Sequence, residues 1–299
     1  MLQVISVLCC LIVSIYAAPT SLEARDVSAD VLGQLNLWEQ YAAAAYCVTN
    51  NDSPGTKVTC AAGNCPLVEA ATTTTLIEFQ NSLLTDVTGL VAVDSTNRKV
   101  VVNFRGSQSA RNWLNNLDFT AIPSDICSDC RVHQGFWRSW VEARPRILTA
   151  VEYAVAQNPG YGIVSTGHSL GGAIATLAAA NLRNSGYNVA LYTYGAPQVG
   201  TEVTANYISN QPGGNYRVTH TNDIVPKLPS RIFGYSHVSP EYFIKSGNNV
   251  PVTSRDIDVI QGNPWNAGNQ GTFPSSIEAH GWYFNAIGDC APDGFEFKE

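Results

Sequence analysis

A serine between two glycines is the first residue of this sequence whose setting suggests chemistry. Ser169 lies in Gly167-His168-Ser169-Leu170-Gly171, a G-x-S-x-G pattern. A serine hydroxyl is a weak nucleophile, so an enzyme that uses one must hold it beside a base and leave room for an acyl group. A sharp turn from a strand into a helix does this, and glycines keep the turn uncrowded. The pattern predicts that Ser169 is a catalytic nucleophile, with a structural glycine-rich turn as the alternative.

A serine turn of this kind predicts an acid and then a histidine later in the chain. Three of the five histidines follow Ser169, namely His220, His237 and His280. His280 is the preferred base because it precedes an apolar cluster, Trp282-Tyr283-Phe284, in a segment that can close over the sheet. His237 is the rival base, and its alternative role is that of a packed or capping histidine.

Asp223 is the preferred acid, because it follows the strand-like run Tyr216-Arg217-Val218-Thr219. From a loop at a strand end it would hold the imidazole of His280 in the tautomer that accepts the serine proton. Aspartates beside Asn and Pro also occur in ordinary turns and caps. The other possible acids are Asp256, Asp258 and Asp289.

A second strand-like run, Lys99–Phe104, leads into Arg105-Gly106-Ser107. A loop in this position can place a backbone N–H beside the acyl carbonyl, and the Ser107 hydroxyl can add a donor. The N–H of Leu170 would supply the other half of the oxyanion hole.

The next segment, residues 109–117, reads as one short helix with two different faces. Ala110, Trp113, Leu114 and Leu117 fall at i, i+3, i+4 and i+7, and Arg111 and three asparagines occupy the other side. A surface helix packed on the core would show the same pattern. Its position beside the oxyanion loop favours a lid over an apolar cleft that opens on lipid.

Helical and strand-like runs alternate along the chain. The helical runs cover about 29–46, 146–157, 172–184 and 202–209, and the strands about 90–93, 99–104, 163–166, 189–194 and 216–219. Such alternation predicts an α/β fold, one doubly wound domain with a mostly parallel central sheet flanked by helices. Pro145 predicts that a helix starts or kinks there.

The residues resemble a known family, the filamentous-fungal class 3 lipases of the Thermomyces and Rhizomucor type, which have the α/β-hydrolase fold. The resemblance implies Ser169, Asp223 and His280 as the catalytic triad, Ser107 and Leu170 as oxyanion donors, residues 110–117 as the lid, and triacylglycerol as the substrate. The match is continuous over about residues 27–290 and includes Asn36-Leu37-Trp38-Glu39-Gln40-Tyr41, Phe104-Arg105-Gly106-Ser107, Thr166 to Gly172, Tyr194-Gly195-Ala196-Pro197, His220-Thr221-Asn222-Asp223 and Ala279-His280.

The start of the chain reads as a secretory signal over residues 1–18, with an apolar run and a small-residue end, although the usual basic start is missing. Residues 19–25 would be a pro-segment cut after Arg25, as the resemblance also suggests. One lipase domain is then expected over residues 26–290, followed by a short tail over residues 291–299 that is expected to be disordered. The chain is expected outside the cell and without a membrane span.

Eight cysteines become six once Cys9 and Cys10 leave with the signal, and a secreted chain with an even number predicts disulfides. The sequence alone leaves their pairing open. A redox motif at Cys127-Ser128-Asp129-Cys130, or zinc on the inner cysteines, is the alternative. The family resemblance implies the pairs Cys47 with Cys290, Cys60 with Cys65, and Cys127 with Cys130.

The net charge of −7 argues against binding of nucleic acid or anionic membranes. Taken with the family resemblance, the motifs predict a monomeric, cofactor-free secreted lipase, and the resemblance implies triacylglycerol or another lipid ester at an oil–water interface as its substrate. An esterase of the same fold, either a phospholipase A1 or a feruloyl esterase, is the nearest alternative. A catalytically silent lipid- or wall-binding protein is the alternative from another class.

Overall fold

The computed structural model describes residues 26–51, 53–80, 84–107 and 118–291. Its helices are α1 (Ala29–Ala44), α2 (Pro66–Ala70), α3 (Gln134–Gln157), α4 (Leu170–Asn184) and α5 (Glu202–Asn210). Its strands are β1 (Thr73–Phe79), β2 (Gly89–Asp94), β3 (Lys99–Phe104), β4 (Ala121–Pro123), β5 (Arg131–His133), β6 (Gly162–His168), β7 (Val189–Tyr194), β8 (Gly200–Thr201), β9 (Asn215–His220), β10 (Tyr235–Ser236), β11 (Glu241–Ile244) and β12 (Ile257–Ile260).

A mixed, mostly parallel sheet forms the centre of the fold. Within the described residues it has eight strands in the order β1-β2-β3-β6-β7-β9-β11-β12. The run from β3 to β11 is parallel, and β1, β2 and β12 pair antiparallel at the two sides. Because parallel strands end at the same edge, the loops that follow β3, β6 and β9 meet at that edge. The predicted α/β class is confirmed.

Side chains alternate along the strands and so build a different core on each face of the sheet. In β3, Val100 and Val102 pack into the core that α3 and α4 cover, whereas Val101 packs beneath α1. The core under α3 and α4 consists mainly of aliphatic and alanine side chains. The core under α1 is rich in aromatic residues and includes Trp38, Tyr41, Tyr192 and Tyr194.

The ends of several elements have local causes. Helix α1 begins after Ser28, whose hydroxyl accepts a hydrogen bond from the Val31 N–H at 3.2 Å and so caps the helix. The predicted helix beginning at about 146 is wrong at its start, because α3 begins at Gln134 and runs through Pro145. Pro145 has no backbone N–H, so the Val141 carbonyl lacks its hydrogen bond within the helix. Val141 is exposed to solvent.

Three disulfides join the pairs Cys47–Cys290, Cys60–Cys65 and Cys127–Cys130, the pairs that the family resemblance implies. The first ties the end of α1 to the last part of the described chain, across 243 residues. Within the described ranges, no helix combines the length and apolar character that a membrane span requires. The predicted signal and pro-segment, and the tail from residue 292 onward, lie outside the described residues.

Candidate active site

The turn from β6 into α4 holds Ser169 in a strained backbone conformation. Ser169 has φ 57° and ψ −129°, a region that costs a residue other than glycine about 1–3 kcal/mol. The glycines on either side are required by space. A Cβ on Gly167 would lie 2.5 Å from the Gly171 carbonyl carbon, and one on Gly171 would collide with the Phe104 carbonyl oxygen. The turn therefore fits the pattern predicted for a nucleophilic serine.

Asp223 and His280, which lie 57 residues apart, form a buried pair. Asp223 follows β9, and His280 lies in a short 3-10 helix, Glu278–Gly281. A parallel bridge between Asp223 and Ser276 brings the two segments together. His280 Nδ1 then lies 2.8 Å from Asp223 Oδ2, and both side chains are fully buried. A carboxylate in this position orients the imidazole and stabilises its protonated form.

Two further donors hold the Asp223 carboxylate. The Tyr283 hydroxyl donates to Oδ2 at 2.6 Å, and the Val225 backbone N–H donates to Oδ1 at 2.8 Å. Burial, together with the neighbouring carboxylate, raises the pKa of Tyr283 well above its usual value. Tyr283 therefore stays protonated and keeps donating to Asp223. Nothing in the sequence indicates this contact, because it joins residues 60 positions apart in the chain.

Gly195, which follows β7, lets the histidine approach the sheet. Its φ is +57°, and a Cβ there would lie 2.9 Å from His280 Nδ1 and 2.5 Å from the Tyr283 hydroxyl oxygen. Any side chain at this position would displace Tyr283 and His280, the two residues that contact Asp223.

A second histidine, His168, links the serine turn to the segment that carries His280. Its Nε2 lies 2.9 Å from the His280 backbone carbonyl oxygen, its Nδ1 lies 2.8 Å from the Tyr46 hydroxyl, and the two histidine rings are 4.4 Å apart between centroids. Burial and the nearby His280 lower the pKa of His168 well below its usual value. His168 is therefore neutral and structural, and it sets the distance between Ser169 and the histidine segment.

The loop after β3 passes directly beside the serine. A Cβ on Gly106 would lie 3.0 Å from the Ser169 Cβ and would collide with the Tyr46 hydroxyl oxygen. Ser107 is the next residue and is partly exposed. Leu170 is the first residue of α4, where a backbone N–H has no partner within the helix. Leu170 is thus the chain neighbour of Ser169. Ser107, the other predicted oxyanion donor, follows Gly106, which lies beside Ser169 in space.

The rival candidates lie elsewhere. His237 is buried with its Nε2 2.5 Å from the Pro226 carbonyl oxygen. Asp256 accepts bonds from the Thr253 backbone and hydroxyl in a capping box, Asp258 pairs with Lys245 at 2.7 Å, and Asp289 is an exposed residue. The four inner cysteines form the disulfides Cys60–Cys65 and Cys127–Cys130 and so offer no thiolate to a zinc ion.

The Ser169 hydroxyl is buried and makes no hydrogen bond to any residue in the described part of the chain. The predicted lid, with Ala110, Trp113, Leu114 and Leu117, lies outside the described residues.

A parallel sheet whose strands end at a serine turn, with the acid and the histidine on later loops, defines the α/β-hydrolase class of enzymes. Models of two families match the chain: lipase (class 3) over residues 101–233 and the lipase 3 N-terminal region over residues 4–77.

The chain is 47% identical to a secreted mono- and diacylglycerol lipase of Penicillium cyclopium, over 95% of this chain and 94% of that one. It is 32% identical to a lipase of Rhizomucor miehei, over 78% of this chain and 64% of that one. A solved structure of the mono- and diacylglycerol lipase from Aspergillus oryzae has a TM-score of 0.83 at 43% identity and covers 87% of this chain and 98% of its own.

The chain therefore belongs to the fungal class 3 lipase family. It is a secreted lipase, a serine hydrolase of carboxylic esters.

Proposed function

We propose that Ser169, His280 and Asp223 are the catalytic triad with which this lipase hydrolyses acylglycerols at a lipid–water interface. The observation that carries the proposal is the buried Asp223–His280 pair, held through His168 beside the strained turn of Ser169. Ser107 and the Leu170 N–H are the proposed oxyanion donors. Losing one such donor typically costs about 2.7–4 kcal/mol of transition-state stabilisation.

The reaction proceeds in two half-reactions with one base. His280 takes the proton of Ser169 as its oxygen attacks the ester carbonyl, and the same imidazole then protonates the departing glyceride oxygen. Water gives its proton to His280 and attacks the acyl-enzyme, and the proton returns to Ser169 as the fatty acid leaves. Asp223 stays ionised throughout and stabilises the imidazolium. The residues of this mechanism require no cofactor.

The names of the relatives support acylglycerols, which are poorly soluble esters, as the substrate class. Relatives named as mono- and diacylglycerol lipases favour partial glycerides, in addition to the triacylglycerol expected from the sequence. The esterase alternative acts on dissolved or phospholipid esters. Hydrolysis rates on emulsified mono-, di- and triacylglycerol of one acyl length, compared with a phospholipid and a feruloyl ester, distinguish these substrates. We expect the active form to be a monomer, which light scattering checks.

The deciding experiment follows the hydrolysis of tributyrin as its concentration crosses the solubility limit. We expect a jump in rate when the emulsion forms, because the buried Ser169 and the predicted lid require an interface for access. Ser169→Ala should remove about six decades of kcat. Ser185→Ala, at a hydroxyl that bonds only the Asn181 carbonyl among the described residues, is the matched control and should retain the rate.

An active Ser169→Ala variant would contradict the mechanism. Smooth saturation on dissolved tributyrin would favour the esterase. Failure of an organophosphonate to label Ser169 would favour the silent binding protein.

A further inference from the structure

The turn that carries Asp223 has a strained backbone. Thr221, which lies between the end of β9 and Asp223, has φ 37°. For a β-branched residue this left-handed region is a genuine outlier, and it persists only where neighbouring groups hold the backbone in place. The Thr221 N–H donates to the Ile244 carbonyl at 2.9 Å, which ties the start of the turn to β11. The carbonyls of the turn are held by a different segment.

Asn269 binds two of these carbonyls with its side-chain amide. Its Nδ2 donates to the Asp223 carbonyl oxygen at 2.8 Å and to the Thr221 carbonyl oxygen at 3.2 Å. Asn269 is 1% exposed and lies in a 3-10 helix, Gly268–Gly271. Because both partners are acceptors, the amide must present its nitrogen to them, and this fixes its orientation. Asn269 therefore joins the strained residue to the proposed catalytic acid.

The central sheet anchors Asn269 in turn. The Asn269 N–H donates to Glu241 Oε1 at 3.1 Å, and Glu241 is the first residue of β11. Glu241 also accepts a bond from the Thr219 hydroxyl and pairs at 3.4 Å with Arg217, its neighbour across the sheet on β9. A Cβ on Gly268 would collide with the Glu241 carboxylate, so this approach requires a glycine. A buried ion pair on two adjacent strands thus gives Asn269 a fixed attachment.

We propose that Asn269 is a positioning residue for ester hydrolysis, because it holds the backbone of Asp223 where the carboxylate meets His280. The proposal rests on the proposed catalytic triad. The donors to the Asp223 side chain orient its oxygens, but they do so only while the backbone that carries the side chain stays in place. Asn269 acts through Asp223 and carries no charge, and in both respects it differs from the members of the proposed triad.

The test measures kcat, KM and the pH dependence of kcat/KM for Asn269→Ala on a dissolved p-nitrophenyl ester. A displacement of Asp223 by about 1 Å or less should lower kcat about 10- to 100-fold, with a much smaller change in KM. A looser contact with Asp223 also makes protonated His280 less stable, so the acid limb of the profile should move to lower pH. The substitution changes no charge, so this movement reports the contact itself.

Asn50→Ala is the matched control. Asn50 is fully buried, ends a 3-10 helix, Val48–Asn50, and also bridges two backbone carbonyls, since its Nδ2 donates to those of Ala44 and Thr59 at 2.8 Å each. Both variants leave buried carbonyls without their donor and should unfold at a lower temperature than the parent. Only Asn269→Ala should change kcat and the pH profile.

Thr272→Val decides the case in which Asn269→Ala does not fold. The hydroxyl of the partly exposed Thr272 donates to the Asn269 carbonyl at 2.7 Å, so its removal should loosen the turn that carries Asn269. We expect the same movement of the acid limb and a loss of kcat of about two- to tenfold, the factor that one neutral hydrogen bond is worth.

The proposal is overturned if Asn269→Ala, or Thr272→Val in its place, matches Asn50→Ala in kcat and in pH profile. Asp223→Asn separates this outcome from failure of the proposed triad. An Asp223→Asn variant with the parent's kcat would remove the triad and the proposal together. An inactive Asp223→Asn variant beside an unchanged kcat in Asn269→Ala would remove the proposal alone.

Discussion

The two faces of the central sheet are built from different side chains. Under α3 and α4 the buried residues are mostly aliphatic, with Ile147, Ala178 and Leu182 as examples. Under α1 the same sheet packs against tyrosines, and Tyr192 and Tyr216 stack 4.3 Å apart between ring centroids. The α1 face also supplies Tyr46 and Tyr283, the partners of His168 and Asp223. One face therefore serves stability, and the other combines packing with support of the site.

Among the residues that the α1 face supports, we expect the largest effect at the Asp223 carboxylate. Asp223→Asn should lower kcat by about four decades with the fold retained, because the amide holds His280 in the wrong tautomer. The measurement is kcat on a dissolved ester, with the unfolding temperature as the check on folding. Asp256→Asn, which alters only an exposed capping box, is the control. A comparable loss at Asp256 would show that the acid is misassigned.

The aliphatic face should respond in stability and not in chemistry. Ile147→Ala removes a fully buried side chain of α3 and should lower the free energy of unfolding by about 2–5 kcal/mol. The kcat of the folded fraction should be unchanged. Tyr153→Ala, at an exposed position of the same helix, should change stability by no more than about 0.5 kcal/mol. Denaturant unfolding measures the stability of both variants. A large loss of kcat in folded Ile147→Ala would contradict the expected difference between the two faces.

The Tyr283 hydroxyl should matter to the chemistry more than to the fold. Tyr283→Phe keeps the buried ring but removes the donor to Asp223, and a hydrogen bond to a charged group is worth about 1.5–3 kcal/mol. We expect kcat to fall roughly 10- to 100-fold, with a much smaller change in KM. Tyr207→Phe, which loses a bond to Asn184 on the surface, should retain kcat. Equal losses in kcat and in stability would mean that Tyr283 only packs.

The smallest effect concerns a buried carboxyl of the α1 face. Burial raises the pKa of Glu39 well above its usual value, although Asn285 donates a bond to it at 2.8 Å. The folded protein therefore binds a proton at Glu39 more tightly than the unfolded chain does. The resulting contribution to the free energy of unfolding is complete below the usual carboxyl pKa, and it is lost as the pH rises toward the pKa of Glu39 in the folded state. Glu39→Gln should remove that loss.

The measurement compares Tm at about pH 5 and about pH 8, where each 1 kcal/mol corresponds to roughly 2–4 °C. The gain in Tm of Glu39→Gln over the parent should be larger at the higher pH. Glu152→Gln, at an exposed residue of α3, should give no such difference. A parent whose Tm follows Glu39→Gln at both pH values would contradict the buried proton.

The sequence predicted the elements that local chemistry determines. The β-branched run of β6 and the small residues of α4 indicated a strand and a helix around Ser169, and β3 and β7 have the predicted bounds. It missed β11 and β12, which are short strands between loops, and it misplaced the start of α3, because Pro145 lies within a helix stabilised by its buried face.

Contacts between distant residues account for what the sequence could not predict at the site. Tyr46 meets His168 across 122 residues, and nothing near either residue in the chain indicates the other. The individual candidates Ser169, Asp223 and His280 could be named from motif and order alone, but the surroundings that hold them could not.

The disulfide between Cys47 and Cys290 joins the end of the first helix to a segment that is synthesised 243 residues later. His280 meets Asp223 across 57 residues and His168 across 112, so the proposed base reaches the serine turn only after most of the domain has been synthesised. Domains emerge from their N-terminal end, and Ser169 appears long before its histidine. A growing chain that has not yet reached His280 therefore carries Ser169 without its proposed base, and by the proposed mechanism we expect it to hydrolyse no ester.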